Sequence, residues 1–187
     1  METVDDLVAM RHVRAESNAA FKRSTQNDES DYSPEFCARP DALYRATQQG
    51  IEQGILAGQW LIKNFIPEYG PFDAHITSGF NRAIETAGYL GLPGARWKTD
   101  ISSHERSWGD LVGRPEREND TKFADVLARR KKDPLYTPLP NGESIAMACL
   151  RARLFLDYLR WKHPRKRVLL VAHGEFLWSL RIENERL

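Results

Sequence analysis

Cysteine is scarce in this chain of 187 residues: Cys37 and Cys149 are the only two, and they form no CxxC pair. That argues against a disulfide framework and for a reduced pair in a cytoplasmic protein. Charge of one sign is also missing. Twenty-seven Lys and Arg stand against 26 Asp and Glu, a formal net charge of +1, so nothing pushes the chain toward nucleic acid or a membrane surface. No apolar run approaches the ~20 residues that span a bilayer. The opening METVDDLVAM is acidic and too short in its apolar part for a secretory signal. There is no internal repeat, no low-complexity tract and no HExxH or similar ligand pair that would suggest a metallohydrolase. The length suffices for one domain with a real core, and a single domain over residues 1–187 is expected. The one linker-like piece, 24–36, reads as a loop within it.

What is present is an alternation of apolar strands and helices. Residues 6–13, DAHITS (73–78), WKTDIS (97–102) and RVLLVAH (167–173) read as strands. Between them, Thr47 caps a helix with Ile51, Ile55 and Ile62 near one face and Pro67 as its stop. NRAIETAGYLGLPG reads as a helix closed by Gly91, Pro93 and Gly94. The segment from Gly142 to His163 is the clearest helix, with Ile145, Ala148, Ala152, Phe155 and Leu159 at core-facing spacing and Pro164 ending it. A short basic helix is expected over 122–132 and a last one over 175–186. Residues 19–44 and 103–121 read as loops. Continuously apolar strands separated by helices indicate a mostly parallel α/β sheet covered on both faces.

Two of these strands end in cationic groups, Arg11-His12 in one and His173-Gly174 in the other. Beyond DAHITS comes Arg82, near a helix start. In open α/β folds ligands bind outside the carboxyl ends of the strands. Two arginines and two histidines gathered there repel one another unless an anion sits among them, and phosphate matches the guanidinium fork. Arginine neighbours also lower a histidine pKa and keep the ring neutral and nucleophilic, so the cluster suggests phosphoryl transfer through a phosphohistidine. Glu105, in HERSWGDLVG, is the best acid for the leaving oxygen. Each residue alone has an ordinary structural explanation: His12 as a hydrogen-bonded core group, His173-Gly174 as a strand end needing a tight turn, Arg82 and Glu105 as solvated. Their joint placement carries the inference. His75, His104 and His163 are assigned no role, and ARRKKD (128–133) reads as a solvated helix end, with a substrate-facing basic patch as the alternative.

With these residues in view, the chain resembles the histidine phosphatase superfamily, the phosphoglycerate mutase-like family. Arg11-His12-Val13 running on to Asn18 is similar to its first motif. Ser78 to Ala87, with Arg82-Ala83 and Thr86-Ala87, resembles the second. Thr47 to Gln53 echoes a Leu-Thr-x-x-Gly-x-x-Gln segment. Glu105-Arg106-Ser107-Trp108-Gly109 resembles the segment that carries the acid. Gly142-Glu143-Ser144 matches a helix start, and His173-Gly174 the last motif. The six run in the family's order from residue 8 to 177.

The resemblance implies a three-layer α/β/α sandwich with His12 as the phosphorylated nucleophile and Glu105 as the proton donor. It makes Arg11, Asn18, Arg82, His173 and Gly174 the phosphate pocket, with no metal and no cofactor. Val13, Arg14-Ala15 and Gly79 depart from the family pattern, and many relatives continue further past the last strand. A phosphomonoesterase acting on a small phosphorylated substrate is the expectation. A phosphoglycerate mutase, for which Arg129-Arg130 could supply an arginine pair, and a phosphate-binding module without turnover are the alternatives. Substrate identity and oligomeric state are not legible in the sequence.

Overall fold

The computed structural model describes residues 6–185, in which four strands form one sheet with every pairing parallel. In chain order the elements are β1 (Asp6–Arg11), α1 (Glu16–Ser24), α2 (Pro34–Cys37), α3 (Gln48–Trp60), α4 (Ile66–Tyr69), β2 (Ala74–Ser78), α5 (Asn81–Tyr89), β3 (Trp97–Asp100), α6 (Glu116–Lys122), α7 (Ala124–Lys132), α8 (Ile145–Lys162), β4 (Arg167–Ala172) and α9 (Gly174–Glu185). The sheet order is β1-β4-β2-β3. Among the described residues no helix is long and apolar enough to cross a membrane.

Strand β4 makes the fold a three-layer α/β/α sandwich. Its side chains alternate between faces, and both faces are apolar. Val168, Leu170 and Ala172 pack with Phe155, Leu159, Phe176 and Leu180 of α8 and α9. Leu169 and Val171 pack with Ala83 and Ala87 of α5, together with Leu61, Phe72 and Leu90. All five residues of the α8 stripe are buried. Ser144 caps the helix by accepting the Met147 N–H at 3.2 Å, so α8 begins three residues later than expected. Gly142 and Glu143 instead turn back toward residues 107–109.

Several sequence expectations are overturned. Strand β1 stops at Arg11, lies at the sheet edge and exposes Asp6, Ala9 and Arg11, so it is not a buried strand over 6–13. The strand expected over 97–102 ends at Asp100, where the Asp100 carboxylate accepts the Ser102 N–H and starts a 3-10 turn. Residues 19–44 are not a loop throughout: α1 and α2 lie within 16–37, and Ser33 caps α2 by accepting the Phe36 N–H. Helix α6 takes residues 116–121 out of the loop expected over 103–121. Pro67 does not stop α3. A π-helical stretch, Leu61–Phe65, leads into α4, and Pro67 sits in its first turn, where a missing N–H is tolerated. The chain turns off only at Gly70, at φ +86.

Helix α3 also faces the other way round. Ile55 and Ile62 are exposed, while Gly50, Gly54 and Gly58 are buried. Apolar periodicity points to isoleucine; close approach decides for glycine. A Cβ on Gly58 would lie 1.9 Å from the Leu90 carbonyl oxygen, and one on Gly50 2.2 Å from that of Arg14. Gly58→Ala is therefore expected to destabilise the fold by about 1–3 kcal/mol. Urea denaturation should show a lower midpoint at unchanged slope; an unshifted midpoint would refute this packing.

Candidate active site

Parallel strands place their carboxyl ends on one rim. Arg11 is in register with Ala172, and the His12 N–H extends the pairing by donating to the Ala172 carbonyl at 2.8 Å. Beyond these ends opens a cleft of about 350 Å³, lined by Arg11, His12, Asn18, Arg82, Glu105 and Gly174 among others. The ring of His173 lies 5.0 Å from that of His12, centroid to centroid. Residues 11, 12, 18, 82, 105, 173 and 174 thus come together, although they span most of the chain.

The two histidines are held as neutral rings. His12 Nδ1 is 2.6 Å from the Val13 carbonyl oxygen. A carbonyl only accepts, so Nδ1 carries the proton and Nε2 keeps its lone pair. Burial, then the Arg82 charge and more weakly Arg11, push the His12 pKa down to about 3 against the single opposing bond to Val13. His173 is lowered as well, by burial first and Arg82 second. Its Nε2 is 2.8 Å from Ser78 Oγ, while its buried Nδ1 has no hydrogen-bond partner among the described residues. A buried polar atom of this kind calls for a partner. The backbone of Val13 is fixed from behind: its N–H donates to Thr86 Oγ1 at 3.0 Å, and the Thr86 hydroxyl donates to the Arg82 carbonyl at 2.6 Å. The Val13 side chain packs toward Gly50 and Gly54 and does not line the cleft.

Arg82 is buried, with its guanidinium 4.9 Å from the Phe80 ring centroid. It donates to the Asp41 carbonyl (2.6 Å) and carboxylate (3.0 and 3.2 Å). Three of five donors are so used, and two remain for a ligand. Asn18 uses its Oδ1 to accept the Ala15 N–H at the start of α1. Gly174 is the first residue of α9 and does not take a left-handed conformation; the chain passes from β4 to α9 through His173 alone. A Cβ at Gly174 would lie 3.6 Å from the Arg11 side chain, an ordinary contact.

Glu105 is held by the start of α9. Its Oε1 accepts the Arg106 N–H at 2.9 Å and the Phe176 N–H at 3.2 Å. Burial raises its pKa, and Glu175 adds to the rise; the two N–H groups and Arg82 oppose it without prevailing. The segment around it hangs on Arg151 of α8. That guanidinium donates to the carbonyls of Ser102 (2.7 Å) and His104 (2.8 Å) and to Glu143. Glu143 in turn accepts the Ser107 N–H at 2.8 Å. Burial alone would raise the Glu143 pKa, but Arg151 and the Ser107 N–H hold it below the usual range. Gly109, at φ +53, and Gly142 let the two backbones touch: a Cβ on Gly109 would lie 2.0 Å from the Pro140 oxygen.

Sequence reasoning gave no role to Asp41, Ser78 or Arg106, and named Arg130 only as half of an arginine pair. Asp41 lay in a segment read as irregular. Ser78 was quoted only as part of a motif. Arg106, buried, pairs with Glu175 and stacks on Trp108 at 4.5 Å. Arg130 approaches the same Glu175 at 3.7 Å and the same indole at 5.2 Å. Arg130 is therefore partly buried beside the cleft and not on the solvated helix end expected of 128–133. The same cleft is lined by the aromatic residues Phe21, Tyr32, Phe36, Tyr44 and Trp108 and by the polar Ser17, Arg114 and Asn119. Among the described residues no three His, Cys, Asp or Glu side chains are grouped to hold a metal ion.

The chain is similar to known proteins. The family profile described as "Histidine phosphatase superfamily (branch 1)" matches residues 44–183. A 2,3-bisphosphoglycerate-dependent phosphoglycerate mutase from Parvibaculum lavamentivorans is 29% identical over 150 residues, covering 75% of this chain and 68% of that protein. Two crystal structures share the fold. A putative alpha-ribazole-5'-P phosphatase from Escherichia coli is 21% identical with a TM-score of 0.73, over 97% of this chain and 78% of that one. A mycobacterial glucosyl-3-phosphoglycerate phosphatase is 23% identical with a TM-score of 0.73, over 97% and 79%.

Proposed function

This chain belongs to the histidine phosphatase superfamily, and from that premise we propose that it is a phosphomonoester hydrolase that carries the phosphoryl group on His12, with Glu105 as proton donor. The observation that supports this best is the state of His12. Its ring is neutral, its Nδ1–H is committed to the Val13 carbonyl, and it lines one cleft with Arg11, Arg82 and Glu105.

The His12 Nε2 lone pair attacks phosphorus as the ester P–O bond breaks, and the Glu105 carboxyl gives its proton to the departing alkoxide. Water then attacks the phosphoramidate, the Glu105 carboxylate takes a proton from it, the N–P bond breaks, and inorganic phosphate leaves. Arg11, the two free donors of Arg82 and the unpartnered His173 Nδ1 are the groups suited to bind the equatorial oxygens, where charge develops. None of these steps calls for a metal. The substrate is a small phosphorylated molecule whose alcohol half lies against the mixed aromatic and polar wall of the cleft.

A mutase is the second reading, favoured by the name of the Parvibaculum relative. It requires polar contacts for a substrate carboxylate, for which Arg114 and Asn119 stand in the cleft wall beside the aromatic residues. A panel of phosphate esters, assayed together for free phosphate and for isomer, separates the readings. Release of phosphate from p-nitrophenyl phosphate, unchanged by EDTA, is expected. Isomer without free phosphate in the presence of a bisphosphoglycerate primer would establish the mutase. Phosphate binding with no ester cleaved would leave a binding module.

A further inference from the structure

Helix α8 is apolar on two opposite faces, which a helix covering one side of a sheet does not need. The inner face is the core stripe. The outer face carries Met147, Leu150, Leu154, Tyr158 and Trp161, which are 48, 64, 68, 37 and 73% exposed. At 3.6 residues per turn all five point within about 40° of the Leu154 direction. They form one ridge along an 18-residue helix.

The spacing of the ridge is symmetric. From Leu154 it steps four residues to Leu150 and to Tyr158, then three more to Met147 and to Trp161. A two-fold interface brings the same patch together from both sides and so requires a surface that complements itself. We propose that this face of α8 docks against the same face of a second copy, antiparallel, with the two-fold axis at Leu154. Leu154 then meets the partner's Leu154, Leu150 interleaves with the partner's Tyr158, and Met147 meets the partner's Trp161, a sulfur–aromatic contact.

Charge favours the same arrangement. Arg153 and Asp157 flank the ridge on one side, both solvent-accessible; Asp157 accepts from Arg160 through Oδ1 at 2.9 Å, which leaves Oδ2 for a second cation. In the antiparallel pair Asp157 comes level, to within about 3 Å along the axis, with the partner's Arg153, and the contact repeats by symmetry. A parallel pair sets the two flanks on opposite sides and gains no such contact. The five side chains expose on the order of 500 Å² per copy, near the upper limit of the largest patch on an ordinary monomer. The flanking groups extend it toward the ~800 Å² per partner of a standard interface. No residue of the ridge lines the cleft.

Sedimentation equilibrium of the full chain through the micromolar range tests this. A mass of two copies is expected. Leu154→Glu, which sets two carboxylates against each other on the axis, should weaken association at least about a hundredfold with far-UV circular dichroism and phosphate release per chain unchanged. In a Cys37→Ser background, Leu154→Cys should form a covalent dimer under mild oxidation, whereas Met147→Cys, whose mate is Trp161, should not. The cross-link decides the matter even if the glutamate variant fails to fold. A single-copy mass for the unaltered chain, a dimer indifferent to Leu154→Glu, or equal cross-linking at 147 and 154 would overturn the proposal.

Discussion

His12→Ala is expected to lower turnover of every ester in the panel by at least about 10³-fold. The loss should fall on kcat, because Arg11 and Arg82 remain to bind the phosphate. In the proposed mechanism the hydrogen bonding of the two rings selects His12, and not His173, as the nucleophile. His12 has its Nδ1 proton tied to the Val13 carbonyl and Nε2 open. His173 has Nε2 engaged by Ser78 Oγ, leaving only the buried Nδ1. His173→Ala removes a donor to the equatorial oxygens and should leave phosphohistidine formation detectable, though slower. Inorganic phosphate binding, measured by calorimetry on His12→Ala, should persist; its loss would show that the substitution disturbed the pocket and not just the reaction. Turnover within tenfold of the unaltered protein would remove His12 from the mechanism.

The second large effect concerns pH. As a donor Glu105 must be protonated, and burial raises its pKa above the usual carboxylate value. The protonated form is lost as pH rises through that raised pKa, so kcat/KM should fall on the alkaline side. The base form of His12 persists down to about pH 3, so protonation of His12 begins to depress kcat/KM only at strongly acidic pH. Glu105→Gln should lower kcat by about 10²–10⁴-fold and remove the part of the alkaline limb that belongs to the enzyme. The second ionisation of the ester, near pH 6, is common to both proteins and cancels in their ratio. The deficit in kcat/KM, which reports the steps up to loss of the alcohol and not the later hydrolysis that Glu105 also serves, should depend on the leaving group. An alkyl phosphate needs the proton and should lose the full factor, whereas p-nitrophenyl phosphate, with a stable phenolate, should lose far less. Equal losses for both esters would mean that Glu105 positions the site without transferring a proton.

What the sequence disclosed and what it hid have separable causes. The strand-end pairs Arg11-His12 and His173-Gly174 were legible because polar groups at the end of an apolar strand stand out against burial, and a parallel sheet must bring such ends to one rim. The α8 core stripe was legible because nothing competes with packing in a long capped helix. The orientation of α3 was hidden: periodicity marks its isoleucines, yet the buried face is made of glycines whose backbone touches Arg14 and Leu90. Helix α1 was hidden by a polar composition that suits a surface helix as well as a loop. Asp41, which occupies three donors of Arg82 from 41 residues away, left no local signal at all. Arg106 was visible in a motif, but its burial against Trp108 and Glu175 depends on chain crossings that composition does not encode.

The most direct test is to trap the protein during turnover with a phosphate ester labelled in the phosphoryl group. Rapid quenching into alkali, where phosphohistidine survives, followed by peptide mapping would locate the label. The expected result is one acid-labile phosphoryl group on Nε2 of His12, formed and lost no more slowly than the steady-state rate and absent from His12→Ala. A label on another side chain, or burst release of the alcohol with no labelled protein, would contradict the mechanism.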